Sequence, residues 1–347
     1  MNKYDEKYDI KLAERKNISE IMEFIRDNWN KDHILGNCLE FFEYEHVIQN
    51  HVNFIIAIDK KTHIMEGIYG YIQASLDEEH KDVWGVMWMI RNDTDNIPFL
   101  GIELIKRLKQ LINCRSVIGI GSNPKTAIPI IKLMLRYHTG KMQHFYMLNS
   151  KIENFKIAVV NESKDKKKHS PENKDIKCSL LSSIDEIIAF YNPEKNKEMT
   201  PYKDIWYIEH RYINHPVYEY LIYGISNKEI EAILIMKRVG AEGRTVLRVV
   251  DYLGSEKLIA GLGNWLNLQM DDTCEYIDFY CYGFDKECIK NAGFVLRNEA
   301  DTNIIPNYFE PFVQENIDIY VDSPLEDTKF CKADGDQDRP NFFVRKD

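Results

Sequence analysis

The sequence predicts an α/β (α+β) protein that consists of two similar halves. The first observation is a stretch in each half that reads as strand, loop, helix, strand and helix, within 82–148 and again within 245–294. The second is that matched landmarks of the two halves, such as Trp84 and Leu247, are separated by about 160 to 166 positions. A nearly constant separation across several elements indicates an internal duplication.

The first half begins with a short strand candidate and an amphipathic helix, in which Ile18, Ile21 and Ile25 recur at helical spacing. Two strands joined by a lysine-rich turn follow. The apolar segment 83–90 is rich in β-favouring residues, which predicts a strand covered on both faces. Pro98 then opens a helix, because proline is tolerated in the first helical turn. A second buried strand, a turn, a helix and a last strand near 144–148 complete the half.

Residues 161–176 are predicted to form a linker between an N-terminal domain, 1–160, and a C-terminal domain, 177–322. This segment loses the apolar pattern and is rich in Lys, Asp, Ser and Pro. The second half repeats the order of the first: helices, two hairpin strands, strand–loop–helix, and strand–helix. Residues 323–347 are left as a C-terminal tail.

Length and composition narrow the classes of protein to which this chain can belong. A chain of 347 residues is long enough for two domains that each bury a core. The net charge of −10 argues against a nucleic-acid-binding surface. Seven scattered cysteines without a CxxC pair indicate reduced thiols, so we expect a cytoplasmic protein. No apolar run reaches membrane-spanning length, and we expect no membrane span.

The element order resembles the fold of the GNAT superfamily of N-acetyltransferases, present twice, over roughly 8–158 and 177–322. The resemblance implies that each half is a mixed, mostly antiparallel sheet flanked by helices. It also implies acetyl-CoA, or another acyl-CoA, as co-substrate and no metal. In this family the pyrophosphate binds to the loop after the fourth strand, at the pattern Q/R-x-x-G-x-G/A.

The window that matches this pattern in the first half is NIPFLG, which contains Asn96, Phe99, Leu100 and Gly101. Only its final glycine agrees with the pattern, since Asn96 replaces Gln/Arg and Phe99 replaces the first glycine. In the second half Gly254 occupies the corresponding place, without a full signature. These five residues are the expected cofactor-binding positions on the two pyrophosphate loops.

The segment after the fifth strand is closer to the family. Asn123 in GSNPKT resembles the asparagine that helps to hold the pantetheine arm. The tyrosine that often serves as general acid is replaced by Ile289 in the second half, and its position in the first half is about Ile131. Both halves therefore lack the usual acid.

Acyl transfer from a thioester to an amine needs a proton acceptor and N–H donors to the oxyanion. Asp251, at the end of a core strand, is the leading candidate for the base; the alternative is an ion pair with Arg248 or a capping role. Arg211 and His215 lie on a segment expected to line the cleft, either as acceptor contacts and catalytic groups or as packing groups.

His144, near the last strand of the first half, is a further candidate base, with a structural histidine as the alternative. His33 occupies the place in the first half that corresponds to the acceptor contacts of the second half. It is therefore expected either to contact the acceptor or to have a structural role.

The tail carries Asp334, Asp336 and Asp338 in alternation, like the start of a calcium loop, but Arg345 stands where the bidentate glutamate belongs. We therefore expect no metal there. The three carboxylates are instead candidates for recognising an amino or hydroxyl-rich acceptor, or else they dock the tail by ion pairs. Similar tails accompany duplicated GNAT-like proteins of bacterial surface-polysaccharide clusters, by resemblance.

The sequence thus favours an acyl-CoA-dependent N-acyltransferase whose partner is a small-molecule amine. An amino sugar or nucleotide-linked amino sugar is the leading acceptor. Two alternatives remain open. One is an aminoacyl transferase that resembles the Fem peptidoglycan enzymes, and the other is a non-catalytic binding or assembly protein with degenerate domains.

Overall fold

The computed structural model describes residues 2–92, 95–161, 175–298 and 300–343, so most of the predicted linker 161–176 lies outside the described residues. The helices are α1 Lys3–Lys7, α2 Ile18–Asn28, α3 Ile34–Asn37, α4 Leu39–His46, α5 Leu100–Leu111, α6 Ala127–Met134, α7 Ile184–Ile188, α8 Ile205–Ile208, α9 Gly263–Gln269 and α10 Lys286–Asn291. The strands are β1 Tyr8–Leu12, β2 Val47–Ile48, β3 His51–Val52, β4 Phe54–Asp59, β5 Met65–Gln73, β6 Asp82–Ile90, β7 Ser116–Ile120, β8 His138–Lys141, β9 Gln143–Leu148, β10 Lys177–Leu181, β11 Leu221–Ser226, β12 Glu231–Ala241, β13 Arg244–Gly254, β14 Cys274–Tyr282, β15 Val295–Leu296, β16 Tyr308–Phe309, β17 Phe312–Val313, β18 Tyr320–Ser323 and β19 Phe330–Cys331.

Two large sheets share one topology. The first has the order β1-β4-β5-β6-β7-β18-β8, and the second has β10-β11-β12-β13-β14-β9-β15, with β19 also paired to β14. In each sheet the fourth and fifth strands of the order are parallel, β6 with β7 and β13 with β14. The other neighbours are antiparallel. The predicted α/β (α+β) class with two mixed, mostly antiparallel sheets is confirmed.

The halves exchange one strand each. β9, from the first half of the sequence, lies in the second sheet between β14 and β15. β18, from the second half, lies in the first sheet between β7 and β8. The strand predicted near 144–148 therefore forms, but the expectation that it completes the first half's own sheet is wrong. Short-range patterns specify that a segment is a strand, whereas its partner depends on contacts far apart in the sequence.

Hydrophobic cores cover both faces of the first sheet. Helices α2 to α4 pack on one face, through residues such as Ile21 and Phe42, and α5 packs on the other, through Leu104 and Leu108. A further core joins the two halves, because Trp84 of β6 packs in the same cluster as side chains of the second half. Burial of this kind, at roughly 25 cal/mol per Å² of apolar surface, is the main stabilising contribution.

Two further features concern the cysteines and the hydrophobicity of the helices. The seven cysteines are all free thiols. None of the helices in the described ranges combines the length and the apolar character needed to cross a membrane.

Candidate active site

A deep cleft opens where the parallel strands β6 and β7 separate. They pair over Asp82–Gly85 and Ser116–Gly119. Beyond this point β6 continues to Ile90, whereas β7 ends at Ile120. The cleft encloses about 720 Å³ and is lined by both strands, by residues 121–124, and by the first turns of α6. After Gly85 and Gly119 the two strands no longer pair with each other, so the ladder bonds between their facing edges end at this opening.

A β-bulge in β6 lies beside the cleft. Tyr69 of β5 stands opposite two residues, Met87 and Trp88, since the register passes from Ile68–Met89 to Gly70–Val86. Met87 adopts a left-handed backbone with φ 47°. A bulge interrupts the ladder and leaves backbone groups unpaired, and it commonly re-aims a strand next to a functional site. Met87 and Trp88 both line the cleft.

Two glycines at the last paired position make room for polar side chains. A Cβ on Gly85 would lie 1.7 Å from the Tyr69 hydroxyl, and a Cβ on Gly119 would lie 2.2 Å from Asp322 Oδ2. Neither contact is possible for a larger residue without movement of the side chain above it. These glycines therefore allow the Tyr69 phenol and the Asp322 carboxylate to lie at the point where the strands separate.

Asp322 is supplied by the exchanged strand β18, directly opposite Gly119. It is 4% exposed, and the Ser122 hydroxyl donates a hydrogen bond of 2.7 Å to its Oδ2. Burial raises the pKa of Asp322 to about 6, and the Ser122 hydrogen bond opposes the shift. Sequence reasoning missed this residue because it belongs to the other half of the chain.

The cleft has an acidic lining. Asp318, Asp322 and Asp336 contribute to it, and no Lys, Arg or His is among the described residues that line it. Asp318 is balanced by Lys141 and Arg297, at 3.1 and 2.5 Å. Asp336 pairs with Arg339 at 3.3 Å. Asp322 is thus the lining carboxylate with a hydroxyl as its hydrogen-bond donor.

The corresponding opening of the second half is filled by the chain itself. The parallel strands β13 and β14 pair only as far as Val249 and Phe279. Beyond that point β19 pairs with β14 through Cys281–Cys331, and the Ala333 N–H donates to Val250 O of β13 at 2.8 Å. Residues 331–334 are buried. A peptide thus bridges the two diverging strands, which leaves no comparable cleft between them in the described structure.

Asp251 lies beside this filled opening and is fully buried. Its Oδ2 lies 2.7 Å from Lys203 Nζ and accepts a hydrogen bond of 2.5 Å from the Tyr212 hydroxyl. The partner named as an alternative from the sequence, Arg248, pairs with Asp278 instead. Asp251 thus belongs to a closed ion-pair network and is not among the described residues that line the open cleft.

The predicted polar groups of the second half are also enclosed. Arg211 donates to Ala333 O at 3.2 Å and to Asp338 O at 3.3 Å. His215 Nδ1 accepts from the Val217 and Tyr218 N–H groups at 3.1 and 2.9 Å. Burial lowers the pKa of His215 to about 2, so this imidazole is neutral. These contacts hold the tail and a turn in place.

The two remaining candidate histidines, His144 and His33, each contact nearby residues. His144, in the exchanged strand β9, stacks on Tyr280 at 3.9 Å and lies 3.4 Å from Asp278. His33 caps α3, where its Nδ1 accepts from the Leu35 N–H at 3.2 Å. Burial lowers the pKa of each to about 4. Neither residue lines the cleft between β6 and β7.

The predicted pyrophosphate residues lie around the start of α5. Phe99 is its N-cap, with φ 66°, and Leu100 is its first, buried residue. A Cβ on Gly101 would lie 2.3 Å from Trp88 Nε1, so this glycine allows close packing of Trp88. Asn96 hydrogen-bonds to Tyr8 and to Arg91 O.

The other two cofactor-binding candidates differ in position. Asn123 lines the cleft, and its Oδ1 accepts from the Lys125 and Thr126 N–H groups at 2.9 and 3.2 Å, which shapes the turn into α6. Gly254, with φ 115°, packs against the backbone of Ala232, where a Cβ would lie 2.8 Å from the Cα. Only Asn123 of the six candidates is among the residues that line the cleft.

The three aspartates of the tail have different surroundings. Asp334 pairs with Lys203 at 2.7 Å and is fully buried. Asp338 accepts a hydrogen bond of 2.8 Å from the Tyr220 hydroxyl and pairs with Lys237. Asp336 lines the cleft of the first half. The tail therefore docks by ion pairs, as the alternative from the sequence had it, while one of its carboxylates reaches the cleft.

Comparison with known proteins gives a fold relationship. No protein-family model and no curated protein matches the sequence. A GCN5-related N-acetyltransferase from Anabaena variabilis has a similar structure, with a TM-score of 0.54 and 8% identity, over 90% of this chain and 72% of that protein. A protein of unknown function from Enterococcus faecalis, described as a probable N-acyltransferase, gives 0.53 and 10% identity, over 91% and 71%. The chain therefore shares the fold of GNAT acetyltransferases, and its two sheets are consistent with tandem GNAT-like domains.

Proposed function

We propose that the protein is a cytoplasmic acyl-CoA-dependent N-acyltransferase with one active site, the cleft between β6 and β7. The observation that carries this proposal is the contrast between the two halves. The same pair of diverging parallel strands is open in the first half and filled by residues 330–334 in the second. The fold shared with an N-acetyltransferase supports the same reading.

The residues of the cleft fit the arm of an acyl-CoA. In the second half, a peptide bridges β13 and β14 through its amide groups. A pantetheine arm also carries amide groups, so it can bridge the separated edges of β6 and β7 in the same way. The bulge at Met87 supplies backbone groups for the thioester carbonyl, where an N–H donor stabilises the developing oxyanion. Since no cation is among the described lining residues, the pyrophosphate belongs outside the cleft, on the side of Trp88 and α5.

The charge of the lining favours an amine as acceptor. Asp318 and Asp336 are balanced by ion pairs, but Asp322 faces no cation among the described residues, so its carboxylate attracts an ammonium group and repels a carboxylate or phosphate. An amino sugar remains the leading acceptor from the sequence. Within that class we favour an amino sugar without a nucleotide over a nucleotide-linked one, because the phosphates of a nucleotide would face the Asp322 carboxylate. Acetyl is the simplest acyl group.

Calorimetry with acetyl-CoA tests the site. Ala127 lines the cleft on the first turn of α6, whereas Leu133 lies on the same helix and is 77% exposed. We expect the wild-type chain to bind one acetyl-CoA, Ala127→Trp to bind at least tenfold more weakly, and Leu133→Trp to match the wild type. Two bound molecules per chain, or equal binding by both variants, would contradict a single site in this cleft.

Release of free CoA thiol in the presence of spermidine, glucosamine and a lysine-containing peptide separates an enzyme from a binding protein. Transfer to any of these amines supports the acyltransferase. Binding of acetyl-CoA without transfer or hydrolysis would favour the non-catalytic alternative. Transfer that requires an aminoacyl-tRNA instead would favour the Fem-like alternative.

A further inference from the structure

Asp322 occupies an unusual place for a carboxylate. It lies at the inner end of the cleft, where β6 and β7 separate, and the missing side chain of Gly119 leaves the space that it fills. The residue belongs to β18, which reaches this sheet from the second half of the chain. The site of the first half is therefore completed by a strand of the second half.

The surroundings of Asp322 leave its charge unbalanced. Ser122 donates a hydrogen bond to it from the loop after β7. The titratable groups that face it are the phenols of Tyr69, on β5, and Tyr137, between α6 and β8, both of which are neutral because burial raises their pKa. Among the described residues no cation contributes to its ionisation. A carboxylate held in this way binds a proton more readily than an exposed one.

We propose that Asp322 is the proton acceptor for the attacking amine. In this step the lone pair of the neutral amine forms a bond to the thioester carbonyl carbon, and the carbon–sulfur bond breaks. The amine proton passes to the Asp322 carboxylate, directly or through one water molecule. CoA leaves as a thiolate and takes a proton from solvent, and Asp322 returns its own proton to solvent. The products are an amide and free CoA.

The inference rests on the proposed function, because Asp322 has this role only if the cleft binds an acyl-CoA. It also accounts for the exchange of strands between the two halves. Among the described residues of the second half, the opening between β13 and β14 is filled by the chain itself, yet this half supplies both β18 and the tail residue Asp336 to the cleft of the first. A base near neutrality also suits the chemistry, since a general base works best when its pKa is close to the operating pH.

The test uses the full chain with Asp322→Asn, which keeps the shape and the capacity to accept from Ser122. Asp327→Asn is the matched control, because Asp327 is exposed on the loop that follows β18. We expect Asp322→Asn to lower kcat/KM by about 10²–10⁴-fold while the Kd for acetyl-CoA changes less than twofold. The wild-type rate should rise with pH through an apparent pKa near 6, and this rise should be absent from the variant.

The outcomes separate the two proposals. If the wild type does not bind acetyl-CoA in the cleft, the proposed function itself is wrong. If it binds and transfers acetyl groups, but Asp322→Asn keeps the wild-type rate and pH profile, only the role of Asp322 is wrong. If it binds acetyl-CoA but neither amines nor water accept the acyl group, the assignment of a base is overturned together with the enzyme activity.

Discussion

Lys203 and Asp334 form a fully buried ion pair, with Nζ 2.7 Å from Oδ1, that ties the tail to the second half. Lys203 also lies 2.7 Å from Asp251, so one ammonium group serves two buried carboxylates. The tail segment that fills the opening between β13 and β14 is thus fixed by charge as well as by backbone bonds.

Replacement of this lysine should be strongly destabilising. Lys203→Met leaves two carboxylates without their cation, and breaking a buried pair costs about 3–5 kcal/mol. Urea denaturation measures the effect. Lys290→Met is the control, because its pair with Glu287 is exposed, and its midpoint should stay close to that of the wild type. Equal midpoints for both variants would mean that the pair contributes no stability.

Asp251→Asn discriminates between two roles of that aspartate. As a catalytic base, its loss would lower turnover by about 10²–10⁴-fold without an effect on stability. Its buried contacts with Lys203 and Tyr212 predict the reverse. We expect a loss of stability of about 1–3 kcal/mol, with kcat retained by the folded protein. Thermal melting and initial rates at a temperature where the variant is folded check this.

Asp322→Asn should change the pH dependence of stability. Because burial raises the pKa of Asp322 in the folded protein to about 6, folding favours its protonated form. The stabilising contribution is complete below the unfolded pKa near 4 and is lost as the pH rises through about 6. A neutral amide avoids this loss, so the variant should be more stable than the wild type at pH 8, by at most about 3 kcal/mol. The gain should disappear at pH 4, and denaturation at both pH values gives the comparison. A constant difference would exclude the linkage.

Gly101 gives a prediction that differs from the one suggested by the sequence. As an expected pyrophosphate-binding position, Gly101 should tolerate alanine but not a negatively charged aspartate, whereas in the structure any Cβ collides with Trp88. Gly101→Ala and Gly101→Asp should therefore both displace the indole and cost about 1–3 kcal/mol. Stability measurements with tryptophan fluorescence report the change. If alanine is harmless and only aspartate weakens acetyl-CoA binding, the pyrophosphate does approach this residue.

Much of the fold could be predicted from the sequence, because local hydrophobic patterns determine where its helices and strands form. Apolar runs such as 83–90, and the helical spacing of Ile18, Ile21 and Ile25, identify elements that the structure contains. The repeated order also gave the two sheets of equal topology. The partner of β9 could not be predicted, since nothing in its residues distinguishes one sheet from the other.

The residues of the candidate site were harder to predict, because they too are brought together by contacts between distant parts of the sequence. Asn123 was found because its surroundings resemble a known motif, whereas Asp322 has no motif and meets Gly119 only through the strand exchange. Asp251 looks like a base at the end of a strand, yet its environment is set by Lys203 and by the tail. A signal for the cleft did exist: Gly85 and Gly119, each inside an apolar strand, mark places where another group approaches the backbone closely.

The exchange of β9 and β18 also governs when the protein can fold during its synthesis. The first sheet needs β18, so the edges of β7 and β8 that bind it stay unpaired until the ribosome has synthesised Tyr320–Ser323. Meanwhile β9 has already emerged but lacks its neighbour β14. Contacts between such distant segments slow folding, and open strand edges favour aggregation in the interval. A nascent first half is thus an incomplete sheet that only a strand from the second half can complete.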